Sequence, residues 1–347
     1  MEYTIIERPA DAFQQSIARE QLIAMCRRAF GEEVQIESAQ ELDGGLYNNT
    51  YLIQLNGMPP IILRVSPHPA RQPLSLRQLM RNEYASLPFF APIAPLLPRI
   101  LMADFTHQIV ERDYLFQTYM EGEQWAQVID TFTSEEKKSL WRQLGTITKK
   151  IHAVQNHTFG NSLLGSSFPS WGLTVMDWLM TIIHDLENVQ LDATDLRSVL
   201  KTAQVYQRLL DEIVQPHLLH GDLWTVNILV KRGKAGPQIV AVLDSDRTSW
   251  GDPLADWTIF LLGRHAGTEA DAFWETYGQP ARTQKAQFRS RIYQACYLGS
   301  ARLEQHRHKA VQRSYQDMQE VVETLRNLFP RFDSKRGKRK DHWDRTE

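Results

Sequence analysis

An α+β chain in two lobes is what the sequence predicts: a small N-terminal lobe built on an antiparallel sheet and a larger, mostly helical C-terminal lobe. Three observations predict it. Short alternating segments gather in the first third of the chain, and Asn56-Gly57, the strongest hairpin signal present, joins two of them. Later stretches, above all Ser134 to His152, repeat apolar residues at helical spacing. A second hairpin pattern, Asn227 to Val230 and Gln238 to Leu243 across Gly233-Lys-Ala-Gly236, interrupts the helical part and is flanked by acidic residues. With 347 residues, 42% of them hydrophobic, the chain is long enough for two lobes. The expected division is 1–119 for the N-terminal lobe, 120–330 for the C-terminal lobe and 331–347 for a basic tail.

The elements follow in order. Asp11 to Ala29, with Phe13, Ile17, Leu22, Ile23, Met25 and Cys26 at helical spacings, reads as an amphipathic helix closed by Gly31. Val34 to Ser38 alternates as a strand, Leu42 to Asn49 is a loop, and Thr50 to Leu55 and Ile61 to Val65 form the Asn56-Gly57 hairpin. A helix is expected from Leu74 to about Ser86, then a proline-rich connector from Pro88 to Pro98. Arg99 to Asp104 and Tyr114 to Thr118 read as the last strands of the small lobe. Ser134 to His152 reads as a long helix, its periodicity carried by Leu140, Trp141, Leu144, Ile147 and Ile151. His152 and His157, near its end, read as caps or surface groups.

The chemistry lies in His220-Gly-Asp-Leu-Trp-Thr-Val-Asn227 and in Asp244, at the end of the second hairpin. Asp222 and Asn227, five positions apart on one short loop, can aim a carboxylate at a substrate hydroxyl while an amide oxygen faces a metal ion. The hairpin returns Asp244 beside Asn227. Protein kinases use the same parts. Here, however, Gly221 stands in place of the arginine of H-R-D, and Asp244-Ser-Asp246 in place of D-F-G. Gly251-Asp-Pro253 also follows Asp244 too closely to leave an activation segment.

Taken in order, His220 to Asn227, Val242-Leu-Asp-Ser-Asp246 and Gly251-Asp-Pro-Leu-Ala-Asp-Trp257 resemble the aminoglycoside phosphotransferase family, kinases of antibiotics and small metabolites with a protein-kinase-like bilobal fold. The likeness runs from about Ile36 to Leu328. It implies that Asp222 is the catalytic residue and that Asn227 and Asp244 hold Mg²⁺. It further implies an ATP site, with GTP as the alternative donor. That site would be formed by Gly44, Gly45 and Asn48 of the first loop, Arg64 on the third strand paired with Glu83 of the next helix, and backbone groups of Thr118 and Met120 at the hinge. Many members carry lysine where Arg64 stands, and an arginine can fork two phosphate oxygens there. His220, Asp252 and Asp256 are expected to support the catalytic loop, Asp252 as the N-cap ahead of Pro253. Trp224 and Asp246 are candidate substrate contacts.

Composition excludes several other classes. A net charge of −2 gives no support to a nucleic-acid or anionic-membrane partner. The N-terminal segment carries acidic residues and no long apolar run, and no later stretch stays apolar for a membrane span, so a cytoplasmic enzyme is expected. Cys26 and Cys296 stand far apart, without metal-ligand spacing, and read as free thiols. The implied partner is a hydroxylated small molecule, the chain acting as a monomer or homodimer. Its acceptor is an aminoglycoside or other antibiotic, in resistance or self-protection, with an amino alcohol, sugar amine or homoserine-like metabolite as the alternative. A nucleotide-binding module without activity is the rival from another class. Trp171, Trp178, Trp250, Trp257 and Trp274 could line the acceptor pocket. Asp246, Asp252, Glu269, Asp271 and Glu275 form a candidate acidic cluster for a cationic acceptor, while Arg282 to Arg326 carries nine basic residues against four acidic.

Overall fold

A computed structural model of the protein describes residues 1–10, 12–43, 45, 47–161, 165–257, 267–306 and 311–328. Gly44 and the 331–347 tail lie outside these residues. The N-terminal part is a six-stranded sheet in the order β1-β2-β3-β4-β6-β5, comprising β1 (Glu2–Thr4), β2 (Ile36–Glu41), β3 (Asn49–Leu55), β4 (Ile61–Val65), β5 (Ile100–Asp104) and β6 (Tyr114–Thr118). All its pairings are antiparallel except β1 with β2, a parallel edge not expected from the sequence. Alternation puts Tyr51, Ile53 and Leu55 on the buried face of β3. They pack with Leu22, Met25 and Cys26 of helix α1 (Arg19–Phe30).

The expected helix from Asp11 is shorter than its apolar spacing indicated, because α1 begins only at Arg19. The residues before it run as a strap over β2 and β3. Ile6 N–H and Ser16 hydroxyl donate to the buried Glu41 carboxylate, and Gln15 N–H donates to Asn49 Oδ1 at 3.0 Å. The second expected helix is likewise divided. Leu74–Leu76 makes a single 3₁₀ turn, and Gln78, at φ 59°, separates it from helix α2 (Leu79–Ser86).

After β6 the chain forms β7 (Glu123–Gln124), the short helix α3 (Trp125–Val128) and helix α4 (Ser134–His152). The cap of α4 is Thr133. Thr133 hydroxyl accepts from Glu136 N–H at 3.3 Å and the Glu136 carboxylate accepts from Thr133 N–H at 2.9 Å, a reciprocal capping box. One face of α4, Leu140, Trp141, Leu144 and Ile151, packs under Leu223, Ile228 and Val242, in and after the loop that carries Asp222. Gln143 ties the same helix to the second hairpin, accepting from Ile239 N–H at 2.9 Å and donating to Pro237 O at 3.0 Å.

That hairpin is β11 (Ile228–Gly233) and β12 (Gly236–Val242), with β7 added at its other edge. Before it come β8 (Phe159–Asn161), β9 (Ser166–Phe168), helices α5 (Trp171–Asn188), α6 (Thr194–Val205) and α7 (Gln207–Leu210), and β10 (His217–Leu219). After it come β13 (Ser249–Gly251), α8 (Ala272–Tyr277), α9 (Gln284–His306) and α10 (Gln312–Leu328). A second core, with Val175, Leu179, Ile292, Cys296, Met318 and Val321, joins α5, α9 and α10. Both cysteines are buried and free. Among the described residues no helix is long and apolar enough to cross a membrane.

Candidate active site

The loop from His220 to Asn227 is held from below. Asp256 is buried and accepts from His220 N–H at 2.8 Å and Gly221 N–H at 2.7 Å. His152, at the end of α4, meets the same carboxylate through Nε2 at 3.0 Å and the Tyr277 hydroxyl through Nδ1 at 2.8 Å. His152 is therefore a buried brace and not the cap or surface group expected. The hydrogen bond and charge of His152 outweigh burial and hold the Asp256 carboxyl below the ordinary aspartate value. His220 is fully buried, its Nδ1 accepts from Asp222 N–H at 3.3 Å, and burial lowers its pKa. Asp252 looks the other way: it caps the turn at Leu254 and accepts from Arg289 and from the Tyr293 hydroxyl of α9.

Gly221 has a physical reason to be glycine. Its φ is +83°, and a Cβ there would lie 2.3 Å from the Arg247 carbonyl oxygen. The segment after Asp244 thus packs directly on the catalytic loop, with no room for the arginine of H-R-D.

Above this support, one cleft of about 210 Å³ is lined by Gly45, Asn48, Arg64, Asp222, Asn227 and Asp244, together with Asp246, Arg247 and Glu304. Asn227 donates through Nδ2 to Asp222 O at 2.8 Å and Asp222 Oδ2 at 3.0 Å, which leaves its amide oxygen as the remaining acceptor. Arg64 donates from Nη1 to both Glu83 oxygens, at 2.7 and 2.6 Å, and from Nη2 to Asp244. Burial opposes the Arg64 charge, but Glu83, Asp244 and Asp246 more than offset this and keep it protonated. Asp244 sits in left-handed backbone at φ 60°, with its side chain 42% exposed.

Asp222 is pushed up to about 6, chiefly by burial, with Asp244 and Glu304 adding to the rise and Arg247 and Asn227 opposing it. Asp246 is driven well above the ordinary range by burial and by Asp244. Neither Arg247 nor Glu304, which pair at 2.5 Å, was singled out in the sequence. The position of Arg247, three residues after Asp244, was the available signal.

Other expected site residues fall elsewhere. Thr118 N–H donates to Arg99 O at 2.9 Å, so it is committed within the fold rather than offered at the hinge; Met120 lies half-buried on the connector beyond it. Trp224 packs against the α4 core and is not among the residues lining the cleft. The acidic cluster does not assemble. Asp252 faces α9, and Glu275 pairs with Arg142 at 2.6 Å, because each finds an arginine on a neighbouring helix.

Beside the cleft lies a larger cavity of about 470 Å³, sharing Leu76, Leu79, Asp246 and Arg247 with it. Trp171 and Trp178 line it as expected, whereas Trp250, Trp257 and Trp274 pack into the α4 core.

Solved structures share this fold. A thermostable mutant of aminoglycoside phosphotransferase APH(4)-Ia, in a ternary complex with AMP-PNP and hygromycin B, matches with TM-score 0.63 at 16% identity over 88% of this chain and 98% of that one. An APH(2")-IIIa structure in complex with GDP and kanamycin matches with TM-score 0.61 at 16% identity, over 90% of this chain and 100% of that one. The GDP complex of wild-type aminoglycoside 2'-phosphotransferase-IIIa gives 0.61 at 16%, over 89% and 98%. At such identities the likeness is one of fold, here the kinase-like bilobal fold. No curated protein matches the chain by sequence. The sequence model of the phosphotransferase enzyme family matches residues 38–289, a span that holds Arg64, Glu83, Asp222, Asn227, Asp244 and Asp256, and the chain belongs to that family.

Proposed function

We propose that the chain transfers the γ-phosphoryl group of ATP directly to a hydroxyl of a small molecule. One observation carries this reading: a single cleft gathers a carboxylate of raised pKa, Asp222, with a buried arginine and the oxygen donors Asn227 and Asp244. Asp222 orients the acceptor hydroxyl and takes its proton as the oxygen–phosphorus bond forms and the bond to the leaving ADP breaks. A loose transition state asks little basicity of that group. Arg64, fixed by Glu83, holds the α/β-phosphates, and Gly45 and Asn48 border them. GTP is the alternative donor, and the Met120 backbone is the hinge contact we retain.

Asn227 Oδ1 and the exposed Asp244 carboxylate suit Mg²⁺, which favours a few protein oxygens completed by phosphate and water. When bound, Mg²⁺ would neutralise phosphate charge. His220 and Asp256 act by positioning the loop.

The same reading assigns 1–119 and 120–330 as the two lobes and a cytoplasmic place of work, where ATP is held. The acceptor in this reading is an aminoglycoside or other antibiotic, with an amino alcohol, sugar amine or homoserine-like metabolite as the alternative. The test is incubation of the protein with Mg-ATP and hydroxylated antibiotics and amino alcohols, with mass spectrometry for the gain of one phosphoryl group. Product formation that persists undiminished in Asp222→Asn would refute the assignment.

A further inference from the structure

The larger cavity has a chemistry of its own. Its wall is aromatic and aliphatic, with Phe168, Trp178, Tyr297, Leu74 and Leu79, and Trp178 meets Tyr297 edge to face at 5.2 Å. A volume of about 470 Å³ is in the range of drug-sized ligands. Two hydrogen-bond acceptors in this wall have no donor. Asn82 is 1% exposed and donates through Nδ2 to Asp246 O and Thr248 O, while its Oδ1 has no partner. Asp177 is half-buried: among the described residues it has neither a hydrogen bond nor an ion pair, and burial alone raises its pKa. Buried acceptors without donors are unfavourable, so both favour a ligand that brings them.

The ionic balance says what kind of ligand. The lining holds Asp177 and Asp246 against Arg77 and Arg247. Asp246 is buried with Arg247 and Arg64 among the charges that face it, Arg247 also pairs with Glu304, and Arg77 is exposed at the rim. A polycation would meet two guanidinium groups against two carboxylates, of which only Asp177 has no charged partner among the described residues. A single ammonium could sit on Asp177 beside the Trp178 ring, with the apolar remainder against the wall.

We propose that this cavity is the acceptor site, and that it takes a hydroxylated molecule with an apolar, ring-bearing body and one protonated amine, rather than a polycationic sugar. The inference rests on the phosphotransferase reading above and narrows it. The shared border at Asp246 and Arg247 brings the acceptor hydroxyl toward Asp222.

The test uses the full chain and four probes: phenylalaninol and propranolol as aromatic amino alcohols, 3-phenylpropan-1-ol as the uncharged counterpart, and kanamycin as the polycation. Binding is read by calorimetry without nucleotide, and phosphoryl gain by mass spectrometry with Mg-ATP. We expect an amino alcohol to bind about tenfold or more tightly than the uncharged alcohol and in preference to kanamycin. Asp177→Asn, which has no partner to lose among the described residues, should erase that tenfold margin while leaving the uncharged alcohol unaffected. Kanamycin preferred, no binding by either amino alcohol, or a margin that survives Asp177→Asn would each overturn the inference. A thermal-shift response to Mg-ATP is measured in parallel: its absence from the unmodified chain counts against the phosphotransferase reading, whereas its presence leaves the acceptor results to judge this inference alone.

Discussion

Asp222 lies where burial and the nearby Asp244 and Glu304 work against its charge, which is why its pKa rises to about 6. Two consequences follow for the group as a proton acceptor. Turnover should fall as pH drops through about 6, since the protonated acid can no longer take the hydroxyl proton, and a pH–rate profile checks this. Between the ordinary aspartate value and about 6, the native state holds a proton that the unfolded state lacks, so this group makes stability decline as pH rises across that window. Asp222→Asn should therefore lower turnover by roughly 10²- to 10⁴-fold. Without nucleotide it should raise stability at neutral pH by about 1–2 kcal/mol, a figure discounted for the solvent that reaches the side chain. A single-turnover assay and a denaturant melt read the two effects, and a turnover close to the parent's would count against the role. Asp256 predicts the opposite balance. Asp256→Ala strips acceptors from two loop N–H groups and His152, and should destabilise the fold by about 2–4 kcal/mol as well as slow turnover. The pairing of Asp222 with Asn227 was legible from their spacing. Arg247, Glu304 and the brace role of His152 were not, because each acquires its meaning from a residue far along the chain.

Element boundaries show how local signals compete. The hairpins at Asn56-Gly57 and Gly233–Gly236 appear as read, the first in regular register and the second with a bulge between Leu229 and Val230. The expected helix from Asp11 fails over its first residues because Asn49 and Tyr51 of the sheet capture the Gln15 and Ile17 N–H groups that a helix would have used. Helix α2 starts late for a similar reason: Leu74 and Ser75 N–H groups donate to the Asp185 carboxylate of α5, at 2.8 and 2.7 Å, which leaves Gln78 to make the turn. Helix α2 is thereby fixed against the C-terminal part, with Asn82 bonded to the segment after Asp244. Arg64 draws on that fixity, since Glu83 comes from the same helix. Arg64→Lys keeps a charge but cannot fork Glu83 and reach Asp244 together. We expect nucleotide affinity to fall about tenfold and stability by about 1–3 kcal/mol. Calorimetry with Mg-ATP and a thermal melt provide the check, and an unchanged affinity would remove Arg64 from the phosphate site.

At the scale of the molecule, the cleft draws on both parts of the chain, Gly45, Asn48 and Arg64 from one and Asp222, Asn227 and Asp244 from the other. A ligand that binds across it should stabilise the whole fold. Mg-ATP at a hundred times its dissociation constant should add about 2.7 kcal/mol, and chelation of the metal should abolish most of that gain, as read by the melting temperature. The sequence by itself determined the α+β plan, the loop that sets Asn227 against Asp222 and the Arg64–Glu83 pair, because these depend on short-range spacing, turn residues and a few motifs in fixed order. The tertiary structure alone decided what braces the loop, why Gly221 must be glycine, which tryptophans line a cavity and which acidic residues are tied up by arginines. Those outcomes depend on which distant side chains meet, and a one-dimensional pattern carries no measure of that. The acceptor site is the clearest case: Asp177 and Asn82 are unremarkable in the sequence, and only the packing of α2 and α5 around one cavity leaves their oxygens without donors.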